Sequence, residues 1–181
     1  MNIQPRGFTL IETLVAITVL MYAVVGPYFA VEGVLASSYI ARDQLVATAL
    51  AQEGIEYVRE LRDQGFIANA NGGSVGFLDA LNGTSGPDCY SADTGGKGCA
   101  VDPSQQSVTQ CTNASCTTYP LYLSSTNLYT TVTTGNTLTR FTRAMKLTRV
   151  SANETQVTVT VTWTNHGSHT VTIVDNLDNW L

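Results

Sequence analysis

Residues 13–31 form a run of nineteen positions without a charged side chain, and Glu12 stands at its N-terminal edge. An α-helix rises 1.5 Å per residue and the hydrocarbon layer of a bilayer is about 30 Å thick, so a run of this length predicts one helix able to cross it. Such a segment needs lipid or other helices as its partners. Glu12 breaks the pattern. Only Arg6 offers a cation nearby in the sequence, and a lone carboxylate in lipid costs at least ~2.5 kcal/mol, a cost that marks a residue retained for function.

The stretch Arg6-Gly7-Phe8-Thr9-Leu10-Ile11-Glu12 resembles the processing site of type IV prepilins, in which a short basic leader ends in Gly and is followed by Phe, an apolar stretch and a Glu. The resemblance implies a leader over residues 1–7, cleavage between Gly7 and Phe8 by prepilin peptidase, N-methylation of Phe8, and a role for Glu12 in assembly. An ordinary secretory signal is cut after its apolar region at a small-residue site; here the cut precedes that region and leaves the helix on the product. Pilin helices also carry a Pro or Gly near the position of Gly26-Pro27, and a kink is expected there because Pro removes a backbone donor and disfavours helix in the residue before it. Arg6 and the initiating amine favour an N-terminus kept inside, so everything after about residue 37 lies outside. The precursor is thus expected in the cytoplasmic membrane as a single-pass protein, and the product in a periplasmic or extracellular filament.

Beyond the span the chain has room for one globular domain. The 9 basic and 14 acidic residues give a net charge of −5. No Lys/Arg cluster interleaves with aromatics, so charge does not suggest nucleic acid as a partner. The partners expected instead are the membrane, prepilin peptidase and other pilin subunits. Cys89, Cys99, Cys111 and Cys116 all fall on the outer side, where disulfides form by default; Cys89–Cys99 with Cys111–Cys116 is the simplest of three connectivities. Their spacing is not that of a zinc ribbon or finger, so neither a metal nor another cofactor is expected.

The organisation read from the chain is α+β and pilin-like: a long N-terminal helix, membrane-spanning in its first half and amphipathic in its second, packed on a C-terminal antiparallel β-meander. Its segments are a leader at 1–7, an assembly helix at 8–35, an amphipathic helix at 36–65, a disulfide-stapled loop region at 66–118 and a sheet at 119–181. Tyr39, Val46, Leu50, Tyr57 or Val58, and Leu61 mark the core face of the second helical half, and Gly65 reads as its C-cap. Glu56 and Arg59, and Arg59 and Asp63, stand at pairing offsets. Ten Gly and Pro residues between Gly72 and Pro103, among them Gly95 and Gly96, mark the irregular stretch. Period-two runs at 120–123, 128–132, 137–150, 156–163 and 169–174 read as strands. In Val157, Val159, Val161 and Trp163 the apolar residues share one face, and Thr158, Thr160, Thr162 and Thr164 the other.

No catalytic constellation emerges, and the chain does not read as an enzyme. His166 and His169 flank a hairpin turn and read as exposed turn residues; Cys99 pairs more readily than it attacks. Asp175-Asn176-Leu177-Asp178-Asn179 offers oxygens but lacks the Gly and terminal Glu of an EF-hand loop, so a simple turn is preferred. Three Asn-x-Ser/Thr triplets, at Asn82, Asn113 and Asn153, indicate exposure. The leading function is a structural subunit of a type IV pilus or related filament. Ala51 to Asp63 is similar to the same region of minor or atypical bacterial prepilins. The alternatives are a type II secretion pseudopilin, which shares the N-terminal signature, and a single-span anchored binding module that never polymerises, for which Glu12 has no use.

Overall fold

The structure, a computed structural model, describes residues 7, 9–83, 86–90, 97–165 and 167–179, without the side chains of Glu32 and Ala36. Arg6, Phe8, Thr84, Gly95, Gly96 and His166 lie outside the described residues. The chain divides into two compact units, Met1–Asp43 and Gln44–Leu181.

One helix, α1 (Leu10–Ala70), runs through both. In the first unit every large apolar side chain described between Leu10 and Leu35 is exposed, and an 18-residue window of this segment reaches a mean hydropathy of 2.1 with none of it buried. The helix is long and apolar enough to cross a membrane. Two of its threonine hydroxyls are satisfied from within: Thr13 Oγ1 donates to the Leu10 carbonyl and Thr18 Oγ1 to that of Val15, each at 2.8 Å, as a lipid surround demands. Helical geometry continues through Gly26 and Pro27. The expected break therefore does not end the helix; what Pro27 removes is the amide that would reach the Ala23 carbonyl.

In the second unit α1 turns Ala47, Leu50, Ala51, Ile55, Tyr57 and Val58 into the core; Tyr39, assigned to the core face from its spacing, falls in the first unit and is exposed. The helix passes the expected stop at Gly65 and ends five residues later, at Ala70. Gly73 N–H bonds the Ala68 carbonyl and Gly72 N–H that of Asn69, with Gly72 at φ +89°. This is the double-bonded C-cap that a left-handed residue makes possible. Gly65 lacks those partners.

The sheet is antiparallel, with strands β1 (Cys99–Asp102), β2 (Ser107–Gln110), β3 (Pro120–Leu123), β4 (Tyr129–Thr130), β5 (Thr137–Arg149), β6 (Glu154–Thr164) and β7 (Ser168–Asp178). Three strands, β5, β6 and β7, make a meander in unbroken register. The other edge of β5 is shared by the hairpins β3–β4 and β1–β2. The region read as loop at 66–118 thus contains a hairpin of the sheet. Cys99-Ala100-Val101-Asp102 is buried at all four positions, so it shows no alternation to read. The last strand also outruns its expected end: Asp175 to Asp178 continue β7 rather than turning.

Val157, Val159, Val161 and Trp163 face the helix and are buried. Gly54 lets the two layers meet, since a Cβ there would stand 3.0 Å from Val159 Cγ1, closer than side chains pack. A smaller cluster of Ala100, Cys111, Cys116 and Ala144, with Tyr119, sits apart from this core.

Candidate functional site

The first site is the start of α1. Thr9 precedes the helix, and its Oγ1 accepts from the Glu12 N–H at 3.4 Å. Thr9 is therefore the Ncap and Glu12 the third helical residue, the Ser/Thr-x-x-Glu spacing of a capping box, of which the bond to Thr9 Oγ1 is formed. Glu12 is exposed in the first turn, where free N–H groups and the helix dipole favour an anion by about 0.3–1 kcal/mol. This local role was not read from the sequence, and it narrows the argument that a plain anchor has no use for Glu12. Magnitude decides between them. A cap term below ~1 kcal/mol does not offset the ~2.5 kcal/mol or more for a carboxylate carried into lipid or packed helices.

Gly7 is exposed, and a Cβ built on it meets nothing within 4 Å. The fold itself makes no demand for glycine there.

The second feature is the pair of cross-links. Cys89 joins Cys99 and Cys111 joins Cys116; all four sulfur-bearing residues are buried. Cys89 is also held by the backbone: its N–H donates to the Leu81 carbonyl, and its own carbonyl accepts from Leu147 N–H in β5. The first cross-link so ties the incoming segment to the sheet centre at Cys99↔Met145. By loop-closure entropy the longer loop contributes about 3 kcal/mol and the shorter about 2. Thermal unfolding under reducing conditions is expected to show a lower midpoint than under oxidising ones, and Cys89→Ala/Cys99→Ala a larger loss than Cys111→Ala/Cys116→Ala.

Two buried charges escaped the sequence reading. Arg143, 1% exposed, lies on the inward face of β5; its Nη1 donates to the Leu50 carbonyl (3.0 Å) and to Glu53 Oε2 (2.6 Å), and its Nη2 to the Val101 carbonyl (2.8 Å). One guanidinium thus clamps α1, β5 and β1. The available signal was phase, since Arg143 falls in step with Phe141, Met145 and Leu147. Asp102, also 1% exposed, accepts from Ser104 Oγ, Gln105 N–H, Thr130 Oγ1, Thr131 N–H and Thr131 Oγ1. Burial raises its pKa, but the hydrogen bonds from Ser104, Thr130 and Thr131 outweigh burial and leave it below the ordinary 3.8. A folded pKa below the unfolded one gives stability that is complete above about pH 4 and is lost as pH falls through the folded value. Asp102→Asn should flatten that acid limb in pH-dependent unfolding and cost on the order of 2 kcal/mol at neutral pH.

The remaining candidates do not converge. His169 stacks on Trp163 at 5.3 Å, and its Nε2 lies 3.0 Å from the Asn165 carbonyl. Asp175 is held by Arg59, whose other partner is Glu56; Asp63 pairs with Arg62, not with Arg59. Asp175 and Asp178 point to opposite faces of β7, the first half-buried and the second exposed. Among the described residues no group of three or more His, Cys, Asp or Glu side chains is placed to hold a metal.

Comparison with known proteins finds one family description, the prokaryotic N-terminal methylation motif, over residues 4–21. No curated protein and no solved structure matches the chain. That description belongs to structural, pilin-type proteins and implies processing by prepilin peptidase and assembly with other pilins at a membrane. Residues 4–21 carry the type IV prepilin signature, and with the apolar helix they open they support a membrane-anchored precursor of pilin or pseudopilin type.

Proposed function

We propose that this chain is a structural subunit of a type IV pilus or related pilin-like filament. Prepilin peptidase cuts it between Gly7 and Phe8, the new Phe8 amine is N-methylated, and residues 8–35 move from lipid into contact with other subunits. The observation that carries this reading is the methylation motif at 4–21 opening onto a helix whose large apolar side chains described from Leu10 to Leu35 are exposed. Exposed apolar surface on this scale requires a partner, and both lipid and packed helices supply one. Glu12 is assigned to the Phe8 ammonium of an adjacent subunit, an ion pair that relieves burial and sets axial register.

Gly7→Val tests the processing step. Because a Cβ at Gly7 meets nothing within 4 Å among the described residues, the substitution leaves the described fold intact and acts on entry of an extended backbone into the peptidase. Full-length precursor is expected to accumulate in the membrane, seen as an unshifted band and an intact N-terminus, with filaments absent. Normal maturation of Gly7→Val would remove the assigned cleavage site.

A further inference from the structure

We propose that the free edge of β7 is an interface between two copies of this chain, which pair their β7 strands antiparallel about Thr172. The strand hydrogen-bonds only to β6 among the described strands and holds an unbroken register with it from Ser168 to Asp178. Among the described residues its outer edge is therefore a row of backbone donors and acceptors without a strand partner. Native sheets blunt such edges with short strands, prolines, bulges or charges. The other outer strands obey that rule, since β2 has 4 residues and β4 has 2. The edge of β7 has 11, with no proline or bulge, and its stretch from Ser168 to Val174 has no charged side chain beyond the imidazole of His169.

The strand's own sequence selects the partner and the register. Antiparallel pairing centred on Thr172 sets Val171 across from Ile173, Thr170 from Val174, Ser168 from Asn176 and His169 from Asp175. Opposed residues fall on the same face: His169, Val171, Ile173 and Asp175 are half-buried toward the helix side, whereas Ser168, Thr170, Thr172, Val174 and Asn176 are exposed. Apolar meets apolar, and the carboxylate meets an imidazole rather than another acid, so no like charges oppose. The Thr160 and Thr172 hydroxyls already lie 3.2 Å apart, and a second Thr172 at the two-fold continues that ladder. Beside the edge lies a groove of about 540 Å³, in which the apolar Ile55, Ile173 and Val174 stand next to Gln52 and the charged Glu56, Arg59 and Asp175; its apolar part receives the partner's inward Val171 and Ile173. A two-fold contact reverses strand direction, so it differs from the contact repeated along a polar filament, in which every subunit points the same way. It links two chains, or two filaments side by side.

Single cysteines in the full-length chain, solubilised in detergent and treated with a short bismaleimide, read the register. The four native cysteines are all in disulfides, so an added thiol is the only one to react. Residues directly opposed across a pair lie about 4.5–5.5 Å apart, while equivalent positions two residues off the axis are about 13 Å apart. Thr172→Cys is expected to give at least ten times more cross-linked dimer than Thr170→Cys or Val174→Cys alone. An equimolar mixture of Thr170→Cys and Val174→Cys should cross-link well above either alone. Absence of dimer at Thr172→Cys, or equal yields from all three single variants, would overturn the proposal. Either failure leaves the processing and helix-packing assignments standing, because they use no residue of β7.

Discussion

Glu12→Lys is expected to yield a chain that is inserted, cleaved and methylated but missing from filaments. In the filament packing proposed above, the Phe8 ammonium of one subunit would meet the Glu12 carboxylate of the next. Replacing the carboxylate by a second ammonium turns a buried pair into buried repulsion. Removing one partner of such a pair costs about 3–5 kcal/mol, which lowers association by roughly 10²–10⁴-fold. Glu12→Leu is the informative contrast, because replacing a buried ion with a well-packed apolar residue is often nearly neutral. It should enter filaments in reduced amount and with poor register. The helix-start role does not predict this split: the bond from the backbone N–H of residue 12 to Thr9 Oγ1 survives both substitutions, and the carboxylate's interaction with the helix dipole, about 0.3–1 kcal/mol, is lost in both. Quantifying each variant in sheared filaments against the membrane fraction separates the two roles. Wild-type incorporation of Glu12→Lys would rule out charge pairing while leaving the cleavage site intact.

The second large effect is expected at Arg143. Truncation to Ala empties a fully buried volume and takes donors from the Leu50 and Val101 carbonyls and from Glu53. The expected loss is about 3–5 kcal/mol in denaturant unfolding. Arg143→Lys should recover only part of it, since one ammonium cannot span contacts that a planar fork makes at once. Arg143→Met combined with Glu53→Leu should lie closer to wild type than Arg143→Ala, because it removes the charge together with its partner and refills the space. An Arg143→Ala protein as stable as wild type would show that the clamp contributes nothing to holding α1 on the sheet.

What the sequence made legible follows from how local each signal is. The apolar run, the long helix and the Val157 to Trp163 alternation depend on near neighbours along the chain, and the structure carries all three. The hairpin of β1 and β2 was hidden because a strand buried on both faces has no period, and Pro103 disguised the turn as loop. Gly65 looked like a stop because glycine is common at helix ends; the actual stop needed Gly72 at positive φ with Gly73 behind it. Phase alone marked Arg143 as inward, while the partners that make Asp102 and Arg143 tolerable as buried charges, at Thr130, Thr131, Leu50 and Val101, come from distant segments. At the N-terminal site the residue types were plain in the sequence, while the capping role of Thr9 toward Glu12 required the position of the helix start.

The most direct test of the central claim is intact-mass and N-terminal sequence analysis of the processed protein, recovered from membranes and from sheared surface material. The account predicts a chain that begins at N-methylated Phe8, retains the whole apolar helix and carries two disulfides. A mature N-terminus beyond residue 31, or an uncut chain in the filament fraction, would contradict it.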